Sequence, residues 1–410
     1  MHRGGGHNII YIRAVLDDAR LRGWKCVVVL RRAAVEHASF ELIREAFDSD
    51  CLLEIMDELP SDASSGRGSW ISRQLIHHKQ MKHAYKAACA RHGIPDAVFV
   101  PDSEHWYAAS ALLGSPVGKS RLVSISFSVR FHRSHHGVLS SFSRTNAKCQ
   151  EQLFELCLRR RAINQVLVSD ETLIDHYRKK KSSILRHLRY LPEIADLPKL
   201  SDKGDSKGIL KIRTDAHVVL CYGALSRRKG IPELLEGLED SNCPSSVVAL
   251  LVGETDEEMR RLLEGEEAQV LRNKQRLFWQ DGFLDDEQTA LAFSASDSAW
   301  LGYHNFENSS GFLWQAARAG LPPISCAKGL IGYWTRSCEL GQSIDPAKSN
   351  EVGKALHRVA SNSELRAQWA ANCIQEAKSH TTESFGRTVC DALAKKTDST
   401  DMNVPVVSSI

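Results

Sequence analysis

The sequence predicts two doubly wound α/β domains that face each other across a cleft. Short apolar runs alternate with helix-period segments along most of the chain, the pattern of repeated βα units and parallel sheets. That pattern runs twice, interrupted by one polar stretch containing Pro and Gly at 196–214. The chain has 410 residues, more than one hydrophobic core supports.

The composition narrows the class. Hydrophobic residues make up 42% and charged residues 25%, as in a soluble globular protein. A net charge of +3 makes no strong global field and argues against a nucleic-acid binder. The 11 cysteines are scattered singly with no CxxC pair, so neither a zinc ribbon nor a redox dithiol is expected. Cys26 and Cys221 sit in apolar runs and read as small buried hydrophobes. An unpaired set fits a reducing compartment. No apolar run is long enough to span a bilayer, and no signal-peptide core opens the chain. The expected location is cytoplasmic, with peripheral contact at the inner membrane face as an option.

The first domain is expected over 1–195. A glycine turn (Gly4, Gly5, Gly6) leads into a helix with Ile9, Ile10, Ile12, Val15, Leu16 and Ala19 on one broad face. Gly23 ends it, and 26–30 is an apolar strand, the second half of a βαβ unit. The strand that should precede Gly4 has only Met1, His2 and Arg3 to form it. Residues 33–90 read as polar and helical, with a loop at 61–69. Strands are expected at 97–100, 122–127, 166–169 and 190–192, with a helix over 105–113. A linker is expected at 196–214.

The second domain is expected over 215–378. Strands fall at 218–222, 246–252, 277–279, 299–301, 323–326 and 341–344. Helices fall at 231–238, 257–263, 285–295 with Asp285 as N-cap, 312–319, 350–360 and 363–378. Residues 379–395 form a helix that can return to the first domain. The polar tail at 396–410 reads as disordered.

Three strand-to-helix loops carry unusual chemistry. Ligands of doubly wound folds bind at the carboxyl ends of the strands. From Gly223 to Gly230 a basic turn (Arg227, Arg228, Lys229) precedes a helix. Cations beside a helix N-terminus cost ~0.3–1 kcal/mol each, and an anion such as a diphosphate reverses that sign. The second loop, from His304 to Gly311, ends at Ser309 and Ser310, where an N-cap belongs. It is an anion site by geometry, yet it holds the carboxylate Glu307. The third is Gly4 to His7.

With these motifs in place, the second half resembles the donor-binding domain of family-4 glycosyltransferases, which share the two-domain, Rossmann-like GT-B fold. The likeness rests on Tyr222, Gly223 and Arg228-Lys229-Gly230. It rests also on Glu307, the eighth residue beyond it (Gln315), and the small-residue helix ending Gly320-Leu321-Pro322. Asp281-Gly282-Phe283 is similar to the family's turn against the nucleotide base. In the first half, Gly6 and His7 before the helix carry the likeness.

The resemblance implies retaining transfer of a hexose from a UDP- or GDP-sugar to a glycan, lipid-linked or small-molecule acceptor, without metal or other cofactor. It implies that Arg228 and Lys229 neutralise the leaving diphosphate, and that Glu307 orients the sugar. It implies that the Ser310 and Gly311 amides touch the diphosphate or the sugar, with Gly223, Ser309, Gly282 and Phe283 also binding the donor, and Gly6 and His7 binding substrate from the acceptor-side domain. Three departures stand out. The ribose-binding Glu of the family is Gln315 here. A charged acceptor contributes ~1.5–3 kcal/mol against ~0.5–1.5 for a neutral one. The Arg that often follows the first glycine is Ala224. The family's strand-end His has no direct match, and the nearest candidate is His132, a loop residue that is either solvated or takes that histidine's place at the substrate.

Two basic runs remain, Arg159-Arg160-Arg161 and Arg178-Lys179-Lys180-Lys181. They read as solvated faces, or as a patch for anionic lipid headgroups. Two other functions stay open. One is a catalytically weakened protein that binds nucleotide sugars or acts as a scaffold. The other is a nucleotide-sugar epimerase.

Overall fold

The computed structural model describes residues 5–37, 40–56, 70–127, 129–136, 138 and 144–394. Three parallel sheets organise them. The first pairs β1 (Cys26–Arg31) with β2 (Cys51–Met56). The second has the order β3-β4-β5-β6, from Ala97–Val100, Arg121–Ser126, Gln165–Val168 and Leu188–Tyr190. The third contains β7 (His217–Tyr222), β8 (Val247–Gly253), β9 (Leu277–Asp281), β10 (Ser298–Leu301), β11 (Pro323–Cys326) and β12 (Gln342–Ile344). Its order is β12-β11-β10-β7-β8-β9, so the winding reverses between β7 and β10.

Both faces of the larger sheets are covered, and the strands show it residue by residue. In β7, Val218 and Leu220 enter one core while Val219 and Cys221 enter the other. In β5, Val166 and Val168 face one layer and Leu167 the opposite one. Such strands read as continuous apolar runs, which is why the sequence located them.

The first half differs from its expectation in two ways. Strand β2 lies inside the segment read as helical. Its acidic Glu54 broke the apolar run, but Glu54 is buried and takes an ion pair from Arg91. Among the described residues, β1–β2 and β3–β6 are separate sheets, not one. The helix Gly5–Leu21 bridges them. Ile9, Ile12 and Leu16 pack with Leu30, Ile43 and Cys51, while Ala14, Val15 and Ala19 pack with Val123, Ile125 and Leu167. The last helix, Thr382–Ala394, adds Phe385, Val389 and Cys390 to that second cluster. It lies so close to the first helix that a Cβ on Gly386 would sit 2.2 Å from Ala14 O.

The polar stretch expected as a linker carries a helix, Lys203–Ile209, capped by Asp202. Its Lys207 is buried and donates to Ala216 O at 2.7 Å and Asp297 Oδ2 at 3.1 Å. The loop expected at 61–69, the tail at 396–410 and Met1 to Gly4 lie outside the described residues. No helix among the described residues is long and apolar enough to cross a membrane.

Candidate nucleotide-sugar site

The basic turn and the Glu307 turn leave neighbouring strands, β7 and β10, at the point where the sheet reverses. Turns at such a point open into a crevice. After β7, Arg227–Lys229 forms a single 3₁₀ turn, and Gly230 opens the helix Ile231–Glu239 with φ +66°. A Cβ on Gly230 would lie 2.1 Å from Gly302 O, so the two turns touch backbone to backbone. The indole of Trp300 donates to Lys229 O at 2.9 Å, and His304 N donates to Arg228 O at 2.8 Å.

The two cations converge on the Glu307 turn from below. Lys229 is buried and its ammonium donates to Tyr222 O. That ammonium also lies 5.5 Å from the Phe312 ring and 5.7 Å from the Tyr303 ring. The Arg228 guanidinium lies 4.7 Å over Phe306, the residue before Glu307. A Cβ on Gly223 would be 3.3 Å from Lys229 Nζ, so the glycine lets the buried ammonium lie against the β7 turn.

The Glu307 turn leads into the helix Gly311–Arg318, with Ser310 as its N-cap residue. The Ser310 side chain makes no cap bond; its hydroxyl faces Tyr303 OH at 3.4 Å. First-turn amides of a helix lack α-helical partners; here Leu313 N is taken by Ser310 O at 2.9 Å, which leaves the amides ahead of it as donors for an anion. Gln315 is half-buried one turn on from Gly311, on the same face. Ser309 Oγ is shut off from solvent, beside the enclosed carboxyl of Glu193. Burial pushes the Glu193 carboxyl up to about 7, and the Ser309 hydroxyl works against that rise.

The third corner lies at β8 and β9. Gly253 (φ +139°) brings its backbone against Gly223, where a Cβ would be 2.2 Å from Gly223 O. Gly282 N donates to Gly253 O at 3.2 Å, and Asp281 accepts from Thr255 N at 2.9 Å. Phe283 stands 95% exposed beside them. An open pocket of about 510 Å³ is lined by Arg227, Arg228, Glu233, His304 and Asn305. It flanks the basic turn from outside and does not include Glu307 or Lys229.

The first half contributes residues that sequence reasoning did not single out. Arg130 makes an ion pair with Glu307 Oε2 at 3.1 Å. Arg133 donates to Asn308 Oδ1 at 2.9 Å. At the end of β4, where the resemblance looks for a histidine, Ser126 Oγ and Phe127 N donate to Glu104. The Phe127 ring stacks on Tyr11 at 5.8 Å. His132 is not solvated: it is fully buried, with Nε2 3.1 Å from Asp170 Oδ2 and 3.0 Å from Thr172 Oγ1. A loop histidine becomes a buried one because its partner, Asp170, follows β5 and is 38 positions away. Gly6 and the backbone of His7 lie in the first turn of the helix Gly5–Leu21, not in a turn ahead of it, and the His7 side chain lies outside the described residues. The only advance signal for Arg130 and Arg133 was their place after a strand end.

No protein-family profile and no curated protein sequence matches the chain. Solved structures do. The Anabaena protein HepE, solved with UDP and glucose, superposes with a TM-score of 0.60 at 17% identity, over 95% of this chain and 96% of that one. WaaG, a glycosyltransferase of lipopolysaccharide biosynthesis, gives 0.58 at 14% identity over 94% and 95%. The sucrose-phosphate synthase of Thermosynechococcus elongatus gives 0.61 at 17% over 93% and 91%. The chain has the GT-B fold. The GT-B superposition covers nearly the whole of both chains, so the split sheet of the first half lies within that architecture.

Proposed function

We propose that the protein is a glycosyltransferase that transfers a hexose, with retention, from a nucleotide diphosphate sugar. One observation carries the reading. Two turns on adjacent strands touch, with Arg228 4.7 Å over the ring of Phe306 next to Glu307 and Lys229 Nζ 5.5 Å from the ring of Phe312. The cations lie where charge grows on a departing diphosphate, and fixed charge there lowers the barrier. They supply what a divalent ion would otherwise bring, which supports a metal-independent reaction. Glu307 accepts hydroxyls of the hexose. Gly223 and the backbone of Ser309, Ser310 and Gly311 line the diphosphate, Gln315 meets the ribose, and Gly282 and Phe283 flank the base. The relatives solved with UDP and UDP-glucose favour UDP as the first nucleotide to try.

The acceptor is a glycan, a lipid-linked sugar or a small molecule entering from the first half. The basic runs at 159–161 and 178–181 end two helices that lead into β5 and β6. They therefore sit at the amino end of that sheet, away from the crevice, and a membrane would be met on that side.

Titration with UDP-, GDP- and hexose-bearing forms of each tests the reading. The expected result is a raised melting temperature with one nucleotide family, lost in Lys229→Ala along with roughly 10- to 150-fold in kcat/KM. No shift with either family sinks the donor site. One observation favours a second reading, a binding protein with weak turnover: Phe127 stacks on Tyr11 where the family places a catalytic histidine. Binding without product release, with labelled donor and membrane extract, would support it.

A further inference from the structure

Arg133 belongs to the first half of the chain and ends in the second. It is fully buried. Its Nε donates to Asp170 Oδ2 at 2.8 Å. One terminal nitrogen donates to Asn308 Oδ1 at 2.9 Å and Glu307 O at 3.2 Å; the other donates to Phe127 O at 3.2 Å. A guanidinium is a rigid planar fork. Four bonds from one fork tie the Glu307 turn to Asp170 and to the end of β4.

The anchor at the other end, Asp170, is buried. Asp170 caps the helix Glu171–Lys179, accepting from Thr172 N at 3.0 Å, and meets His132 Nε2 at 3.1 Å. Burial would raise its carboxyl, but the His132 hydrogen bond and the Arg133 charge outweigh burial and hold it well below the usual carboxylate range. Stability does not require such an arrangement. A buried ion pair is often replaced by apolar side chains at no loss, and Asp170 already has Thr172 and His132 as partners. What Arg133 adds is a buried, rigid link to the backbone of that turn: Arg130 reaches only the Glu307 carboxylate, whereas Arg133 holds Glu307 O and Asn308 Oδ1.

We propose that Arg133 is a positioning residue that holds the Glu307–Asn308 turn in register from the opposite half, so that the Glu307 carboxylate faces the donor sugar. The inference rests on the donor-site reading above. Glu307 O also accepts from Leu330 N at 3.2 Å within its own half, so the turn survives without Arg133 but loses its register to the first half. Arg130 reaches the carboxylate itself, through a half-exposed ion pair that sugar hydroxyls can replace.

Two variants of the full chain test this: Arg133→Lys, which keeps the charge without the fork, and Asn308→Ala, which removes the turn-side acceptor and leaves the Arg133–Asp170 pair. UDP affinity is measured by titration, and UDP release from UDP-glucose gives kcat. Both variants are expected to bind UDP within about twofold of the parent while kcat falls about tenfold, as for one lost charge-assisted bond. In a Glu307→Ala background neither change should reduce kcat further, because the residue being positioned is gone. Parallel loss of UDP affinity and kcat, an unchanged kcat, or full additivity with Glu307→Ala each overturns the proposal and leaves Arg133 structural. Failure of the parent to bind UDP or UDP-glucose is a different result: it removes the donor-site reading, and this inference with it.

Discussion

At the scale of single residues, the proposed site divides between side chains that hold structure and side chains proposed to meet a ligand. Lys229 does both, buried yet aimed past Gly223. Phe283 does only the second. It is 95% exposed, so Phe283→Ala should leave stability within about 0.5 kcal/mol. If the ring covers the base, UDP should bind roughly five- to 150-fold more weakly, since stacking is worth about 1–3 kcal/mol. Equal UDP affinity in the variant would remove Phe283 from the site. Gln315 offers the reverse experiment. A carboxylate in its place makes stronger bonds to ribose hydroxyls, so Gln315→Glu should tighten UDP binding by about three- to tenfold. Calorimetric titration showing no gain would mean that Gln315 does not face the ribose.

At the scale of elements, the crevice depends on backbones in contact. Gly230 is held at φ +66° with Gly302 O where its Cβ would be. Gly230→Ala therefore meets both strain and overlap, and should cost about 2–4 kcal/mol. The melting temperature should fall by roughly 4–16 °C for a domain of this size, and UDP binding should weaken with it as the basic turn shifts. A variant with unchanged melting would show that the two turns are not in contact. The same closeness explains why β7 and β10 are short, apolar and easy to place, while their turns carry the polar chemistry.

At the scale of the whole molecule, the chain crosses between halves twice, and the crossings are pinned together. Ala195 N donates to His380 O at 3.2 Å, and the His380 ring stacks on Trp314 at 3.9 Å. Glu193 lies at the first crossing, its carboxyl enclosed against Ser309 and raised from 4.5 to about 7. The sign follows from proton counting. Between about 4.5 and 7 the folded state binds more protons at Glu193 than the unfolded state does, so this group lowers stability as pH rises. Urea unfolding should show the parent losing stability relative to Glu193→Gln across that window and running parallel to it above pH 7. Parallel curves from pH 4 to 8 would mean that the carboxyl is solvated.

Much of the second half was legible beforehand because β7, β8, β10 and β11 are buried on both faces and several helices carry side-chain caps, from Asp256, Asp285 and Asn362. The apolar run of β11 and the capping box of Asp285 with Gln288 are local facts. The Gly223–Gly230 and His304–Gly311 turns were legible too, since cations and glycine after a strand are visible in one dimension. The first half was less so. β2 hid behind a buried Glu54, and the helix Lys203–Ile209 hid in a segment polar enough to pass for a linker. By itself, then, the sequence determined the alternation of strands and helices, the doubling of that pattern, and the residues that could meet a diphosphate. Only the tertiary structure decided that His132 is buried, that Glu193 faces Ser309, and that Arg130 and Arg133 reach Glu307 from 177 and 174 positions away. The reason is physical: periodicity reports which side of an element is buried, whereas a hydrogen bond between distant residues depends on how two sheets are set against each other.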